Sequence, residues 1–295
     1  MKEPIFTGAG VAIVTPMYED GSINFDELVR EIELQIAGGS DAIVICGTTG
    51  ESSTMTDEER LAYIRLTVET VNHRVPVIAG TGSNDTAHSA ALSKAAADVG
   101  ADGLLLVTPY YNKTSQAGLI AHYTEIVEEA GIPAILYNVP SRTGMNLLPA
   151  TLAKLCQHPL INGVKEASGN LSQIVRIRQL CGDNLNIYSG NDDQITAILS
   201  VGGKGVISVV SNIAPRQVHD CCQAWFDGDA ARSLEIQLAM MPLVDAMFCD
   251  VNPSPVKYAM SRMGYPVGEC RLPLVEPSEE NQDKIDAILE AAGLL

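Results

Sequence analysis

Three side chains stand where their types and spacing could do chemistry. Lys165 closes the apolar run Ile161–Lys165, Tyr137 lies at the end of the run Pro133–Asn138, and Arg142 follows just beyond it. A buried ammonium loses its hydration, which lowers the amine pKa from its usual ~10.4 and leaves some free amine at neutral pH. A free amine that meets a ketone forms a Schiff base. Tyr137 has an apolar body and a hydroxyl that needs a partner. Arg142 offers a planar fork that fits a carboxylate.

Elements of a particular kind must hold these residues. Eight short apolar runs recur: Gly10–Val14, Ala42–Cys46, Pro76–Ala79, Gly103–Val107, Ala134–Asn138, Ile161–Lys165, Asn186–Ser189 and Val206–Val210. They are rich in Val, Ile and Leu and mostly continuous, the pattern of strands buried on both faces of a parallel sheet. The segments between them carry helix punctuation. Asn24 precedes Glu27, Thr56 precedes Glu59, Asn84 or Asp85 opens a helix that stops at Gly100, and Ser115 opens one that ends at Gly131. Eight strand–helix units predict a (β/α)8 barrel. An open doubly wound sheet would place GxGxxG after the first strand, where this chain has TPMYEDGS. Beyond Pro215 the patterns are mostly helical, with a last helix near Asn281–Ala292. The expected division is a catalytic barrel over 1–225 and a C-terminal helical appendage over 226–295, packed as one compact unit.

A barrel builds its site at the C-terminal ends of its strands. That rule selects Thr15, Gly47–Ser52 (GTTGES), Gly80–Asn84, Thr108–Asn112 (TPYYN), Tyr137–Gly144 (YNVPSRTG), Lys165–Gly169, Ser189–Asp192 and Ser208–Asn212. Only two of the eight lysines sit beside a strand core. Lys204 precedes the eighth strand and belongs to the opposite face. Lys165 is expected to share the inward face with Ile161 and Gly163 by the two-residue period, rather than to pair at the surface with Glu166. The GTTGE turn offers two hydroxyls and backbone N–H groups suited to a carboxylate. Barrels that bind phosphate use glycine-rich loops after strands seven and eight. Here the loop after strand eight reads SNIAPR, so the substrate is expected to carry no phosphate.

Together, GTTGES, TPYYN, YNVPSRTG, GVKEASGN and the later NPSPVK resemble the dihydrodipicolinate synthases, within the wider Schiff-base, pyruvate-dependent lyases. The resemblance covers essentially the whole chain. It implies that Lys165 forms an imine with pyruvate, that the pyruvate carboxylate sits on N–H groups of Thr48 and Thr49, and that the derived enamine attacks aspartate semialdehyde. It also implies a proton relay of Tyr137, Thr48 and Tyr111, with Tyr111 reaching in from a neighbouring subunit. Arg142 is implied to hold the second carboxylate, and Gly190 and Ile207 to line the pocket. No metal or organic cofactor is implied, and the implied assembly is a homotetramer built as a pair of dimers. Feedback-inhibited relatives bind lysine at a dimer interface, and Ser52, Asn84, His88 and Tyr110 match that site. However, Asp57 and Arg60 replace histidines of the inhibited enterobacterial type, and His88 replaces a glutamate, so weak or absent inhibition is expected. The alternative within the same family is an aldolase acting on N-acetylneuraminate or a keto-deoxy sugar acid. Arg142 and the TPYYN loop argue against it.

Composition limits the remaining classes. A formal net charge of −17 over 295 residues gives no basic face for nucleic acid or an anionic membrane. Seven scattered cysteines, an odd count with no CxxC, predict reduced thiols and a cytoplasmic setting. The five histidines are remote in sequence and form no HExxH, which argues against a metal site. No signal-peptide pattern and no apolar run long enough to span a bilayer are evident.

Overall fold

The computed structural model describes residues 2–295. Eight parallel strands close into a barrel in sequence order: β1 (Gly8–Ala12), β2 (Ala42–Ile45), β3 (Val77–Gly80), β4 (Gly103–Val107), β5 (Ala134–Asn138), β6 (Ile161–Glu166), β7 (Asn186–Ser189) and β8 (Gly205–Ser208). Helices α1 (Phe25–Ala37), α2 (Asp57–Val71), α3 (Thr86–Asp98) and α4 (Gln116–Ala130) follow the first four strands. After β5 come α5 (Pro140–Thr143) and α6 (Pro149–Leu155). Then α7 (Leu171–Cys181), α8 (Ile195–Ser200) and α9 (Pro215–Phe226) follow β6, β7 and β8. The tail adds α10 (Ala230–Met247), α11 (Ser254–Arg262) and α12 (Glu279–Ala291).

The strands are buried on both faces, which is why their sequences run apolar without alternation. Ala12, Val44, Ile78, Leu105, Ile135, Tyr188 and Ile207 share the barrel interior. Val11, Ile43, Val77, Leu104, Leu136, Val164 and Ile187 face the helices. Phe6 plugs the interior from below. Its ring stacks on Tyr188 at 4.5 Å between centroids, and its carbonyl accepts the Tyr188 hydroxyl at 2.8 Å. At the seam where β8 meets β1, Gly205 has φ +148°, and a Cβ there would collide with the Gly8 carbonyl, so closure requires glycine. The tail helices bury Met240, Leu243, Met260, Ile285 and Leu289 in one cluster with Val206, Val218, Cys221 and Cys222 of the last barrel unit.

The punctuation works as the sequence predicts. Asn24 accepts from the Glu27 N–H, Thr56 and Glu59 form a reciprocal capping box, Asp85 rather than Asn84 caps α3, and Ser115 caps α4. Two strands lie about two residues earlier than their apolar runs. β1 stops at Ala12 instead of reaching Thr15, and the Val14 N–H donates to the Asn212 side chain at 3.1 Å. β8 stops at Ser208 because the Val209 and Val210 N–H groups donate to the Asp192 carboxylate, at 2.9 and 3.2 Å. All seven cysteines are free thiols.

Candidate active site

Register places the two central residues side by side. β5 and β6 pair Tyr137 with Lys165, and the Lys165 Nζ lies 4.4 Å from the centroid of the Tyr137 ring. An ammonium over that face gains quadrupole attraction without a counter-charge. Lys165 is only 5% exposed, and among the described residues its ammonium has no ion-pair partner within 4.0 Å. Burial brings its pKa down to about 8; Asp192 opposes the fall and the Arg142 charge adds to it. Neutral pH therefore leaves a usable fraction of free amine.

The inward face is not the one that a simple two-residue period assigns. The β5–β6 ladder pairs Ala134 with Ile161 and then Ile135 with Gly163, so Asn162 is an extra residue. That bulge turns Ile161 outward among the helix-facing residues, while Gly163 and Lys165 face in. Glu166 does not pair with Lys165. It points to the other face and is fully buried there. Its oxygens accept from Asn138 Nδ2 at 3.2 and 3.1 Å and from the Ser168 N–H at 2.8 Å.

Burial raises the Tyr137 phenol pKa, against the Arg142 charge and the Thr48 hydroxyl, so the phenol keeps its proton at neutral pH. The β2 turn carries Cys46 and Glu51 at positive φ (55° and 53°). The Thr48 carbonyl accepts the Glu51 N–H at 3.1 Å. The N–H groups of Thr48 and Thr49 make no hydrogen bond among the described residues, leaving two donors for an anion. At Gly190 a Cβ would stand 2.7 Å from the Ala167 Cβ and 3.2 Å from the Lys165 Cγ, so glycine keeps the lysine's stem free. Ile207 lines the interior layer beside it.

Thr48 and Arg142 line a cavity of about 440 Å³ that also contains Ser52, Asn84, His88 and Tyr110. The four residues matched to a lysine site therefore lie in one groove with the mouth of the barrel. There His88 Nε2 meets Asp57 at 2.8 Å, and Arg60 donates to the Gly80 carbonyl at 2.7 Å. Tyr111 is the exception among the predicted residues. It is 92% exposed at φ +67° and is not among the residues lining that cavity. A larger cavity, about 570 Å³, lies away from this chemistry between Tyr18, Lys257 and Arg271. Among the described residues no group of three or more His, Cys, Asp or Glu side chains could hold a metal ion.

Sequence reasoning placed Asp192 in the candidate segment after the seventh strand but gave it no role of its own. It lies just beyond β7, buried, with Oδ2 held by two backbone N–H groups and Oδ1 without a partner among the described residues. Burial pushes its carboxyl up, while the Ser208 hydroxyl, those N–H groups and Lys165 pull it back. The signal was present, since an aspartate two residues after the glycine that frees the lysine sits at a strand's C-terminal end.

Residues 5–292 match the profile of the Dihydrodipicolinate synthetase family. The 4-hydroxy-tetrahydrodipicolinate synthase of Thermoanaerobacter sp. (strain X514) is 53% identical over 293 residues, 99% of this chain and 98% of that protein. The protein of the same name from Acetivibrio thermocellus is 52% identical across 100% of both chains. Among solved structures, dihydrodipicolinate synthase from Thermotoga maritima superimposes with a TM-score of 0.96 at 41% identity, over 99% of this chain and 100% of that one. The Acinetobacter baumannii enzyme, complexed with pyruvate, gives 0.96 at 39% identity, over 98% and 99% of the two chains.

The lysine environment sets a pH signature that can be read without any substrate. Arylation of Lys165 by 1-fluoro-2,4-dinitrobenzene, an electrophile that does not itself titrate, followed by peptide mass spectrometry, should accelerate about tenfold per pH unit on the acid side and level off near the Lys165 pKa of about 8. Asp192→Asn removes the charge that favours the ammonium, so its profile should level off at lower pH. An inflection with the surface lysines near ~10.4 would contradict the desolvated site.

Proposed function

The chain belongs to the dihydrodipicolinate synthetase family, and from that premise we propose that it condenses pyruvate with L-aspartate 4-semialdehyde through an imine on Lys165. The observation that carries this reading is the buried, unpaired Lys165 amine beside the Tyr137 phenol. The reading makes the chain a lyase of lysine biosynthesis by the diaminopimelate route, forming 4-hydroxy-tetrahydrodipicolinate. No relative described above favours the sugar-acid aldolase alternative.

The steps use the side chains in turn. The Lys165 amine adds to the ketone carbon of pyruvate, and loss of water gives the imine. The pyruvate carboxylate rests on the free N–H groups of Thr48 and Thr49. Loss of a methyl proton gives an enamine, whose carbon attacks the aldehyde of the second substrate. The amino group of that substrate then displaces the Lys165 nitrogen from the imine carbon, closing the ring and restoring the lysine. One water leaves overall. Each transfer needs a positioned hydroxyl, and Tyr137, Thr48 and Tyr111 supply them. Gly190 and Ile207 shape the pocket, and Arg142 at the rim takes the second carboxylate as a fork. The active form is a cytoplasmic homotetramer, a dimer of dimers. The near-complete exposure of Tyr111 in a single chain supports its working in a neighbour's site. Ser52, Asn84, His88 and Tyr110 form a groove that binds lysine weakly at most, because Asp57 already engages His88.

Three experiments test these readings. Borohydride reduction in the presence of pyruvate should leave a pyruvyl adduct on Lys165 by mass spectrometry; no adduct, or one elsewhere, removes the central claim. Tyr111→Phe should lower kcat by about 10²–10⁴. Hybrids of Tyr111→Phe with Lys165→Ala should then recover activity, because one site regains both groups; hybrids as inactive as their parents would place the tyrosine in its own chain's site. Steady-state assays should show little inhibition by lysine, and half-inhibition below about 1 mM would contradict the weakened groove.

A further inference from the structure

The NPSPVK segment has no role in the steps above, yet it touches both carboxylate-binding elements. Asn252 is 5% exposed. Its side-chain Nδ2 donates to Thr49 Oγ1 at 3.0 Å, and its backbone carbonyl accepts from Arg142 Nη2 at 3.3 Å. One residue of the tail thus bridges the turn after β2 and the short helix α5. We propose that Asn252 is a positioning residue that aims the Thr49 hydroxyl proton at the substrate carboxylate and sets the separation between the two carboxylate anchors. The inference rests on the pyruvate reading above.

Hydrogen-bond polarity carries the first half. A threonine hydroxyl has one proton to give and two lone pairs. The amide N–H occupies a lone pair of Thr49 Oγ1, and the hydroxyl makes no other hydrogen bond among the described residues. Its proton is therefore left to donate, next to the unengaged N–H groups of Thr48 and Thr49. An acceptor in place of that amide nitrogen would claim the proton and reverse the polarity. The second half follows from the separate contacts: the side chain serves Thr49, and the backbone serves Arg142.

The bridge has a rigid foundation. Five residues on, Lys257 is almost fully buried, and all three of its ammonium protons are engaged. They go to the Thr15 carbonyl at 3.1 Å, Glu51 Oε1 at 2.9 Å and the Glu269 carbonyl at 2.7 Å. Glu51 ends the same turn that carries Thr48 and Thr49, and its other oxygen accepts from the Arg271 N–H at 2.8 Å. The tail therefore grips the turn at two points, with Asn252 at its inner end.

The test titrates pyruvate against the amount of borohydride-trapped Lys165 adduct and measures KM for both substrates. Asn252→Ala should raise the half-saturating pyruvate about tenfold. It should leave the semialdehyde KM within about twofold, since the backbone carbonyl remains for Arg142. Asn252→Asp offers only acceptors and adds a charge, so it should be weaker for pyruvate than Asn252→Ala. Thr49→Val should match Asn252→Ala, and the double variant should be no worse than either, because the two act as a unit. Unchanged pyruvate dependence in Asn252→Ala, equal losses for both substrates, or additive losses in the double variant overturn the proposal. Should Asn252→Ala fail to fold by circular dichroism, Thr49→Val decides, and an unchanged pyruvate dependence there overturns it as well. A wild-type enzyme that traps no pyruvate refutes the pyruvate reading itself, and this inference with it, a result distinct from all of these.

Discussion

The constraint on which the rest depends is a buried amine that must not be neutralised. A carboxylate in contact with Lys165 would stabilise the ammonium and raise its pKa, and the nucleophile would be lost at neutral pH. The protein buries three carboxylates within a short distance along the chain from its catalytic strand ends and commits each elsewhere. Glu166 is turned outward and held by Asn138 and the Ser168 N–H. Glu51 is tied to Lys257 and the Arg271 N–H. Asp192 has one oxygen fixed on the Val209 and Val210 N–H groups. Of the three, only Asp192 acts on Lys165 through its charge, and burial outweighs it.

This disposition separates two kinds of polar group around the mouth. Glu51 and Glu166 are satisfied internally and Asp192 is held by one oxygen, whereas donors are left open: the Thr48 and Thr49 N–H groups, the Thr49 hydroxyl proton and the Tyr137 phenol. A site of unsatisfied donors in a low-dielectric mouth selects anions and stabilises developing negative charge, because reorganisation has been made before the substrate arrives. The chain as a whole carries a net charge of −17, so this cluster of open donors is a local feature made by geometry.

Much of this was legible in the sequence, for identifiable reasons. Strands buried on both faces announce themselves as continuous apolar runs, and β4, β5 and β7 match their runs residue for residue. Side-chain caps such as Thr56 and Ser115 are local, so they read directly. What failed depended on contacts remote in sequence. The ends of β1 and β8 are set by Asn212 and Asp192, which take N–H groups that apolar patterning assigns to the ladder. The bulge at Asn162 reverses the facing of Ile161 while leaving Lys165 inward, so the right conclusion about the lysine was reached through a register that holds only from Gly163 on. Asp192 lay within the selected Ser189–Asp192 segment, but its charge effect on Lys165 arises from proximity in space that spacing along the chain does not show.

The tail illustrates why a motif can be visible without its reason being visible. NPSPVK reads as a helix start with prolines, and nothing local explains a lysine at its end. In the fold that lysine lies against the β2 turn, more than 200 residues earlier in the chain. Removing one partner of such a buried pair leaves an uncompensated charge, which costs about 3–5 kcal/mol. The same turn must hold Cys46 and Glu51 in left-handed backbone, a conformation that persists only when its surroundings impose it. The tail imposes it from outside: Lys257 and the Arg271 N–H fix the Glu51 carboxylate, and Asn252 fixes Thr49. The helices beyond the barrel thus hold in place the turn whose Thr48 and Thr49 N–H groups stand unengaged beside the barrel mouth.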